Sequence, residues 1–283
     1  MTKRIAILGL GSMGGAIHRG LIAAMGEQDP PVMVTTNSAA SAAKAAELPH
    51  TSAAAVSENP EANREAAAAA DTVILAVKPW MIHDLIGEIS DVLRPGTAVI
   101  SVAAGITVES MQRLLPEGVI ALRAMPNTPS HIGAGVTGVA AAESFEGGQL
   151  PELVAAALAD AETIFARVGA VVTVPESQID ALSAVSGSGP AYLFWFVEEF
   201  IAAAGRLGFD RETAKVLAQN TVVGAAKLLE STGEDAAALR RKVTSPNGTT
   251  EQAVTRLQAG GIPELFDTAL GAAITRAREL AAG

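Results

Sequence analysis

The sequence predicts an α/β chain: a doubly wound, mainly parallel sheet over residues 1–175, followed by an all-α segment over residues 176–283. Three observations predict it. Short β-branched runs alternate with alanine-rich stretches through the first half, the pattern of βαβ units feeding a parallel sheet. A glycine-rich turn, Gly9-Leu10-Gly11-Ser12-Met13-Gly14, follows the first of these runs and opens a helix-forming stretch. After Pro175 the strand signal stops and long helical stretches take over.

The strand runs, in order, are residues 4–8, 32–36, 72–77, 98–102, 119–124, 135–142 and 170–174; most are followed by small or turn-forming residues. The alanine tract at 66–70 is a strong helix former placed just before a strand. In the second part the predicted helices are 177–186, 189–207, 211–231, a shorter one near 236–243, 249–259 and 263–282. Pro190 stands at the start of its helix, where its missing N–H leaves no bond unmade.

Composition narrows the function classes. Apolar residues make up 49% of the 283 and charged ones 18%, far from the mixture that leaves a chain disordered. Aromatics are only 4%, so the core is built from Ala, Val, Leu and Ile. The most apolar stretch, 66–82, is cut by Asp71, Lys78 and Pro79 and cannot present about 20 apolar residues to a bilayer, so no membrane span is expected. Lys3-Arg4 before the short apolar run 5–10 imitates an export signal but passes at once into glycine-rich sequence, so none is expected. There is no cysteine, hence no disulfide and no thiolate nucleophile or metal ligand, and the expected compartment is the cytoplasm. A formal charge of −10 disfavours nucleic acid. An anionic ligand must then be held by local devices: backbone N–H groups, helix N-termini, single Lys or Arg side chains.

The turn at 9–14 is such a device. In G-x-G-x-x-G between strand and helix, the first glycine permits the tight turn, the second admits a pyrophosphate to the backbone, and the third lets helix pack on strand. This marks a Rossmann-type, dinucleotide-binding domain; the bland alternative is a glycine turn with no ligand. NAD-specific domains place a carboxylate about 20 residues on, to bind the ribose 2′-hydroxyl. Here the strand ends Val34-Thr35-Thr36-Asn37-Ser38, with no carboxylate. Small hydroxyl and amide groups tolerate a 2′-phosphate, which favours NADPH with NADH possible; a generic polar loop fits too, since the arginine expected of an NADP site is also missing.

Three further stretches have more detail than a generic dinucleotide domain needs. Val77-Lys78-Pro79 ends a strand at the carboxyl edge of the sheet. The stretch from Asp180 to Tyr192 joins two helices through Ser186-Gly187-Ser188-Gly189-Pro190, and Ser245-Pro246-Asn247-Gly248-Thr249-Thr250 is a hydroxyl-rich loop opening another helix, suited to holding a carboxylate. With Ser101 to Gly105 and Met125-Pro126-Asn127-Thr128-Pro129, these make the chain resemble, over essentially its whole length, the pyrroline-5-carboxylate reductases, which reduce 1-pyrroline-5-carboxylate to L-proline with NAD(P)H. Asn247 departs from the pattern, since that loop often has a second glycine; Asn tolerates the same left-handed backbone.

The resemblance implies cofactor contacts at Gly9, Gly11, Ser12, Met13, Gly14, Thr36, Asn37, Asn63, Ala76, Lys78, Pro79, Ala103 and Gly105, and substrate contacts at Ser245, Gly248, Thr249 and Thr250. Gly248 and Thr249 are expected to hold the carboxylate through backbone N–H groups, and Thr250, the candidate catalytic residue, to reach the ring nitrogen through its hydroxyl. The resemblance also implies that residues 176–283 form a dimerisation domain, in a homodimer or an assembly of dimers whose active sites lie between one Rossmann domain and the partner's helices. Competing readings stay open at single residues: Lys78 as a surface lysine, Thr249 or Thr250 as a helix cap.

Hydride reduction places the hard chemistry on the cofactor, and an imine nitrogen is basic enough to be partly protonated near neutral pH, so no strong protein acid is required. The sequence agrees. His18, His50, His83 and His131 are scattered without ligand or catalytic spacing and read as structural or surface residues, His131 being the least settled; no metal motif is present. Tyr192, beside Phe194, Trp195 and Phe196, reads as core or interface. Two other functions compete: a Rossmann dehydrogenase acting on a hydroxy acid, which wants a catalytic Lys or His in the helical half, and a dinucleotide-binding regulator, which has no need of the 245–250 loop.

Overall fold

The computed structural model describes residues 3–142 and 152–282. Eight strands, β1 (Ile5–Leu8), β2 (Val32–Thr36), β3 (Thr51–Ala55), β4 (Thr72–Leu75), β5 (Ala98–Ser101), β6 (Ile120–Met125), β7 (Gly135–Ala140) and β8 (Gly169–Thr173), form one sheet in the order β3-β2-β1-β4-β5-β6-β7-β8. The six strands from β3 to β6 run parallel, β7 is antiparallel to β6, and β8 is parallel to β7. The chain winds outward from β1 to β3 and then returns to start again at β4, so the topological switch point falls between β1 and β4. In open α/β sheets ligands bind at the carboxyl ends of the strands at that point.

The helices that cover this sheet are α1 (Ser12–Ile22), α2 (Ala39–Ala46), α3 (Ala62–Ala69), α4 (Ile82–Ile89), α5 (Val108–Gln112) and α6 (Glu152–Phe165). Both faces of the central strands β1, β4 and β5 are buried. Ile5 and Ile7 of β1 join Ile17, Leu21 and Phe165 on one side, while Ala6 and Leu8 join Leu75, Ile82 and Ile86 on the other. That is why β1 and β4 read as unbroken apolar runs rather than as alternating ones.

The expectations from sequence hold for seven strands, to within one or two residues at their ends in most cases. β3 was not expected: Thr-Ser-Ala-Ala-Ala has little β propensity. It forms because β2 presents a free edge, and five residues pair in register from Val32↔Thr51 to Thr36↔Ala55.

The chain divides into two compact units, Met1–Gly187 with Ile274–Gly283, and Ser188–Ala273. Residues 176–182 are tied to the sheet by the buried Arg123, whose Nη2 donates to Asp180 Oδ1 at 3.0 Å, and by Glu176 Oε1, which accepts from the Val108 N–H at 2.6 Å. Asn127 continues the attachment, donating to the Ser186 carbonyl at 2.9 Å. The single helix expected at 177–186 is therefore broken into a 3₁₀ turn (Glu176–Gln178), α7 (Ile179–Leu182) and a π-helical turn (Ser183–Gly187).

In the second unit, α8 (Gly189–Arg206) and α9 (Arg211–Thr232) pack together, followed by α10 (Ala236–Lys242) and α11 (Thr249–Ala259). The last helix, α12 (Ile262–Ala282), spans both units. Among the described residues, the buried hydrophobics of Ser188–Ala273 are only Ala204, Ala214 and Ala218. Phe194 and Trp195 are 69% and 64% exposed. No helix among the described residues is long and apolar enough to cross a membrane.

His18 of α1 is buried, with Nε2 2.9 Å from Thr51 Oγ1. Thr51 donates its hydroxyl proton to the Pro49 carbonyl, so the imidazole N–H is the donor to Thr51. Burial, and secondarily the charge of Arg19, hold this imidazole below its ordinary value of 6.5. The folded state thus favours the neutral ring, and as pH falls through about 6.5 the unfolded chain takes up the proton first. The contribution of His18 is expected in full above that pH and to be lost below it. Urea midpoints measured across pH 5 to 8 should fall on the acid side, and His18→Gln should fall less steeply there.

Candidate active site

The switch point opens into a cleft of about 900 Å³. Its floor is the turn after β1. Gly9 has φ +96°, and a Cβ there would stand 2.8 Å from Val77 Cγ1 and 2.9 Å from the Ala76 carbonyl oxygen. Register explains the closeness: Leu8 pairs with Leu75, so the two strands deliver Gly9 and Ala76 side by side. A Cβ on Gly14 would lie 2.2 Å from the Gly9 carbonyl oxygen, so the third glycine is what lets α1 start against the turn. Gly11 faces open space, with nothing within 4 Å of its Cβ position. The backbone there is bare toward the cleft, and α1 begins at Ser12 with no side-chain cap, leaving its first N–H groups without an intrahelical acceptor. This is the cradle a pyrophosphate requires.

Of the residues singled out from sequence, Gly9, Gly11, Ser12, Met13, Thr36, Asn37, Asn63, Ala76 and Lys78 line this one cleft. Gly14 does not line it but supports it from behind. Pro79 opens the 3₁₀ turn Pro79–Met81, Ala103 is buried with its N–H on Ser101 Oγ at 3.2 Å, and Gly105 has φ +78°; these three stand outside the lining. Ser38, at the strand end whose small hydroxyl and amide groups read from sequence as tolerating a 2′-phosphate, lines it as well, while sequence reasoning missed Ser41, Trp80, Asp84 and Glu88. No motif announces them, because they come from the first turn of α2, the turn after β4 and the exposed side of α4.

At the end of β2 the polar groups are already partly engaged. Thr36 donates to the Ser38 carbonyl at 2.9 Å, and Ser38, the N-cap of α2, accepts from the Ser41 N–H at 3.3 Å. Thr36 therefore offers a ligand only lone pairs, and the donors left at this end of the cleft are Asn37 and Ser41. Asn63 is buried and donates to Glu88 Oε1 at 3.1 Å. Among the described residues no three His, Asp or Glu side chains cluster in a way that could hold a metal ion.

The loop from Ser245 to Thr250 belongs to the second unit. Asn247 takes φ +59°, the left-handed conformation that its place in the loop demands. Gly248 is the N-cap of α11 and makes no side-chain cap, so Thr249 and Thr250, the first two helical residues, spend neither hydroxyl on capping. The Gly248 N–H is committed to the Ser245 carbonyl at 3.0 Å, and the Asn247 N–H to Glu251 Oε2 at 2.8 Å. The N–H groups at the helix entrance without an intrahelical acceptor are those of Thr249, Thr250 and Glu251, the first intrahelical bond running from the Gln252 N–H to the Gly248 carbonyl.

Residues 176–280 match the family described as "Pyrroline-5-carboxylate reductase dimerisation", and residues 4–105 the one described as "NADP oxidoreductase coenzyme F420-dependent". The pyrroline-5-carboxylate reductase of Pseudomonas aeruginosa is 38% identical over 99% of this chain and 97% of its own, and that of Escherichia coli 36% identical over 99% and 97%. The solved structure of a pyrroline-5-carboxylate reductase from Coxiella burnetii is 39% identical, covers 99% of both chains and superposes with a TM-score of 0.87. That of Plasmodium falciparum pyrroline carboxylate reductase with NADP bound, 21% identical over 99% of this chain and 98% of its own with a TM-score of 0.76, shares the fold. On sequence and structure together, this chain belongs to the pyrroline-5-carboxylate reductase family.

Proposed function

We propose that this chain reduces the cyclic imine 1-pyrroline-5-carboxylate to L-proline, with NADPH bound in the cleft after β1 and β4. The observation that carries the reading is the pairing in one chain of a bare glycine turn at the switch point with a helix entrance, Thr249-Thr250, whose hydroxyls and N–H groups are left for a ligand. The cofactor, when bound, would supply hydride to the carbon of the protonated imine, and the nitrogen, already holding its proton, becomes the amine. The protein's part is to hold and orient. The N–H groups of Thr249 and Thr250 at the positive end of α11 take the carboxylate, the task that the net charge of −10 leaves to local donors. Thr250 Oγ meets the ring nitrogen. Ser245 and Gly248 fix the loop by their mutual hydrogen bond.

The absence of a carboxylate at the end of β2 supports NADPH as the preferred reductant. The absence of cysteine fits a reducing compartment, the cytoplasm, and the acidic charge balance fits a small-molecule enzyme without a nucleic-acid partner. The test is NADPH oxidation followed at 340 nm with pyrroline-5-carboxylate or, in parallel, with 2-oxo acids. Oxidation with the imine alone supports the reading; oxidation with a 2-oxo acid alone moves it to the hydroxy-acid dehydrogenases.

The helical unit works as a dimer. With three alanines as its buried hydrophobics, and Phe194, Trp195 and Phe196 exposed along α8, it needs a second surface to cover it. The proposed site takes its Rossmann domain from one protomer and its helices from the other. Sedimentation at micromolar and nanomolar protein should give a dimer or a multiple of dimers wherever activity persists. A monomer that remains active would contradict this.

A further inference from the structure

His131 and Arg19 belong to none of the motifs that mark the cleft, yet both are wired to it. The 3₁₀ turn Thr128–Ile132 packs against α1, and its position is fixed by the buried Asn127, whose Oδ1 accepts from the Val136 N–H at 2.8 Å while its Nδ2 holds the Ser186 carbonyl. This sets His131 over the first turns of α1. Arg19 Nη2 stands 3.0 Å from His131 Nδ1, and His131 Nε2 stands 3.0 Å from Ser12 Oγ.

The direction of these bonds follows from the chemistry of the groups. A guanidinium has donors and no acceptor, so Arg19 donates and Nδ1 accepts. A ring nitrogen that accepts has no proton of its own, which places the imidazole proton on Nε2. Nε2–H then donates to Ser12 Oγ. The hydroxyl, with one of its two lone pairs occupied by that N–H, cannot turn its proton toward the ring and keeps it to give elsewhere. Ser12 is the first residue of α1 and lines the cleft beside the bare Gly11.

We propose that Arg19 and His131 are positioning residues that fix the Ser12 hydroxyl as a donor to the pyrophosphate of the bound dinucleotide. Phosphate oxygens only accept; a hydroxyl turned the other way would face them with a lone pair. The Arg19-His131 pair removes that orientation before the ligand arrives. The inference rests on the reading that the turn at Gly9 to Gly14 holds the pyrophosphate, and its consequences differ from those of a contact at the 2′-phosphate: NADPH and NADH share the pyrophosphate and should respond alike.

The test is binding without turnover. NADPH and NADH are titrated by calorimetry into the full-length protein and into Ser12→Ala, His131→Ala, His131→Gln and the Ser12→Ala/His131→Ala pair, with circular dichroism to establish that each is folded. Binding of both dinucleotides to the unaltered protein is established first, because its failure would remove the cleft reading rather than this one. His131→Ala is expected to weaken both dinucleotides by the same factor, about tenfold, the scale of one hydrogen bond to a charged group. The double variant should bind no more weakly than Ser12→Ala alone, since the histidine acts only through that hydroxyl. His131→Gln, whose amide can donate to Ser12, should recover part of the loss. Unchanged affinity in a folded His131→Ala protein, additive losses in the pair, or a loss confined to NADPH would each overturn the proposal.

Discussion

Thr250→Ala is expected to keep its fold and its affinity for NADPH while losing about tenfold or more in kcat/KM, the scale of one hydrogen bond to a charged group. The two roles open to this residue separate cleanly. A capping hydroxyl removed from a helix costs about 1 kcal/mol of stability. In this structure Gly248 occupies the cap position and no side chain caps α11, so stability should hardly move. A hydroxyl on the ring nitrogen acts where charge changes as hydride reaches the imine carbon, so its loss should appear in turnover rather than in ground-state binding alone. Thr250→Ser retains the hydroxyl and should recover most of the rate. Urea unfolding, NADPH titration and steady-state kinetics on the three proteins decide it. Near-normal kinetics in a folded Thr250→Ala protein would move the catalytic contact with the ring nitrogen to another residue.

Thr36→Asp is expected to shift cofactor use away from NADPH and toward NADH. Thr36 lies at the end of β2 where NAD-specific domains place the carboxylate that binds the ribose 2′-hydroxyl. A second negative charge about 4 Å from a 2′-phosphate costs on the order of 1 kcal/mol in water and about 4 kcal/mol in a half-buried setting. The ratio of kcat/KM for NADPH over NADH should therefore fall about tenfold or more, each factor of ten being about 1.4 kcal/mol. Thr36 is buried and donates to the Ser38 carbonyl, so the change also disturbs the turn. Asn37→Asp supplies the control, adding a charge at the neighbouring cleft residue with the Thr36 bond intact; it should shift the ratio in the same direction. An unchanged ratio in both variants would place the 2′-phosphate elsewhere.

Much of this molecule is legible in its sequence because the signals are local. The glycine turn and the β-branched runs before and after it report a strand, a tight backbone and a helix start, all within about 20 residues. The 245–250 loop is legible for the same reason, including the left-handed backbone at Asn247 that a residue without a glycine's freedom rarely accepts. What escaped depends on pairing at a distance. Thr51–Ala55 is a strand by virtue of the edge of β2 rather than of its own alanines. The π-helical turn at Ser183–Gly187 follows a segment that Arg123 and Asn127 hold to the sheet from more than fifty residues away. Trp80 and Glu88 reach the cleft from an exposed turn and an amphipathic helix, neither of which looks unusual in one dimension. His131 reads from sequence as structural or surface because its partners, Ser12 and Arg19, stand 119 and 112 residues away along the chain.

In the proposed reaction hydride passes directly to the imine carbon of a carboxylated pyrroline. The most direct measurement uses NADPH carrying deuterium at the transferable position of its nicotinamide, incubated with pyrroline-5-carboxylate and this protein, with the product read by mass spectrometry and NMR. L-proline heavier by one mass unit is expected, with the deuterium on Cδ and in equal amount to the cofactor oxidised. Oxidation of the cofactor without deuterated proline, or no pyrroline-5-carboxylate-dependent oxidation by a folded protein that binds NADPH, would contradict it.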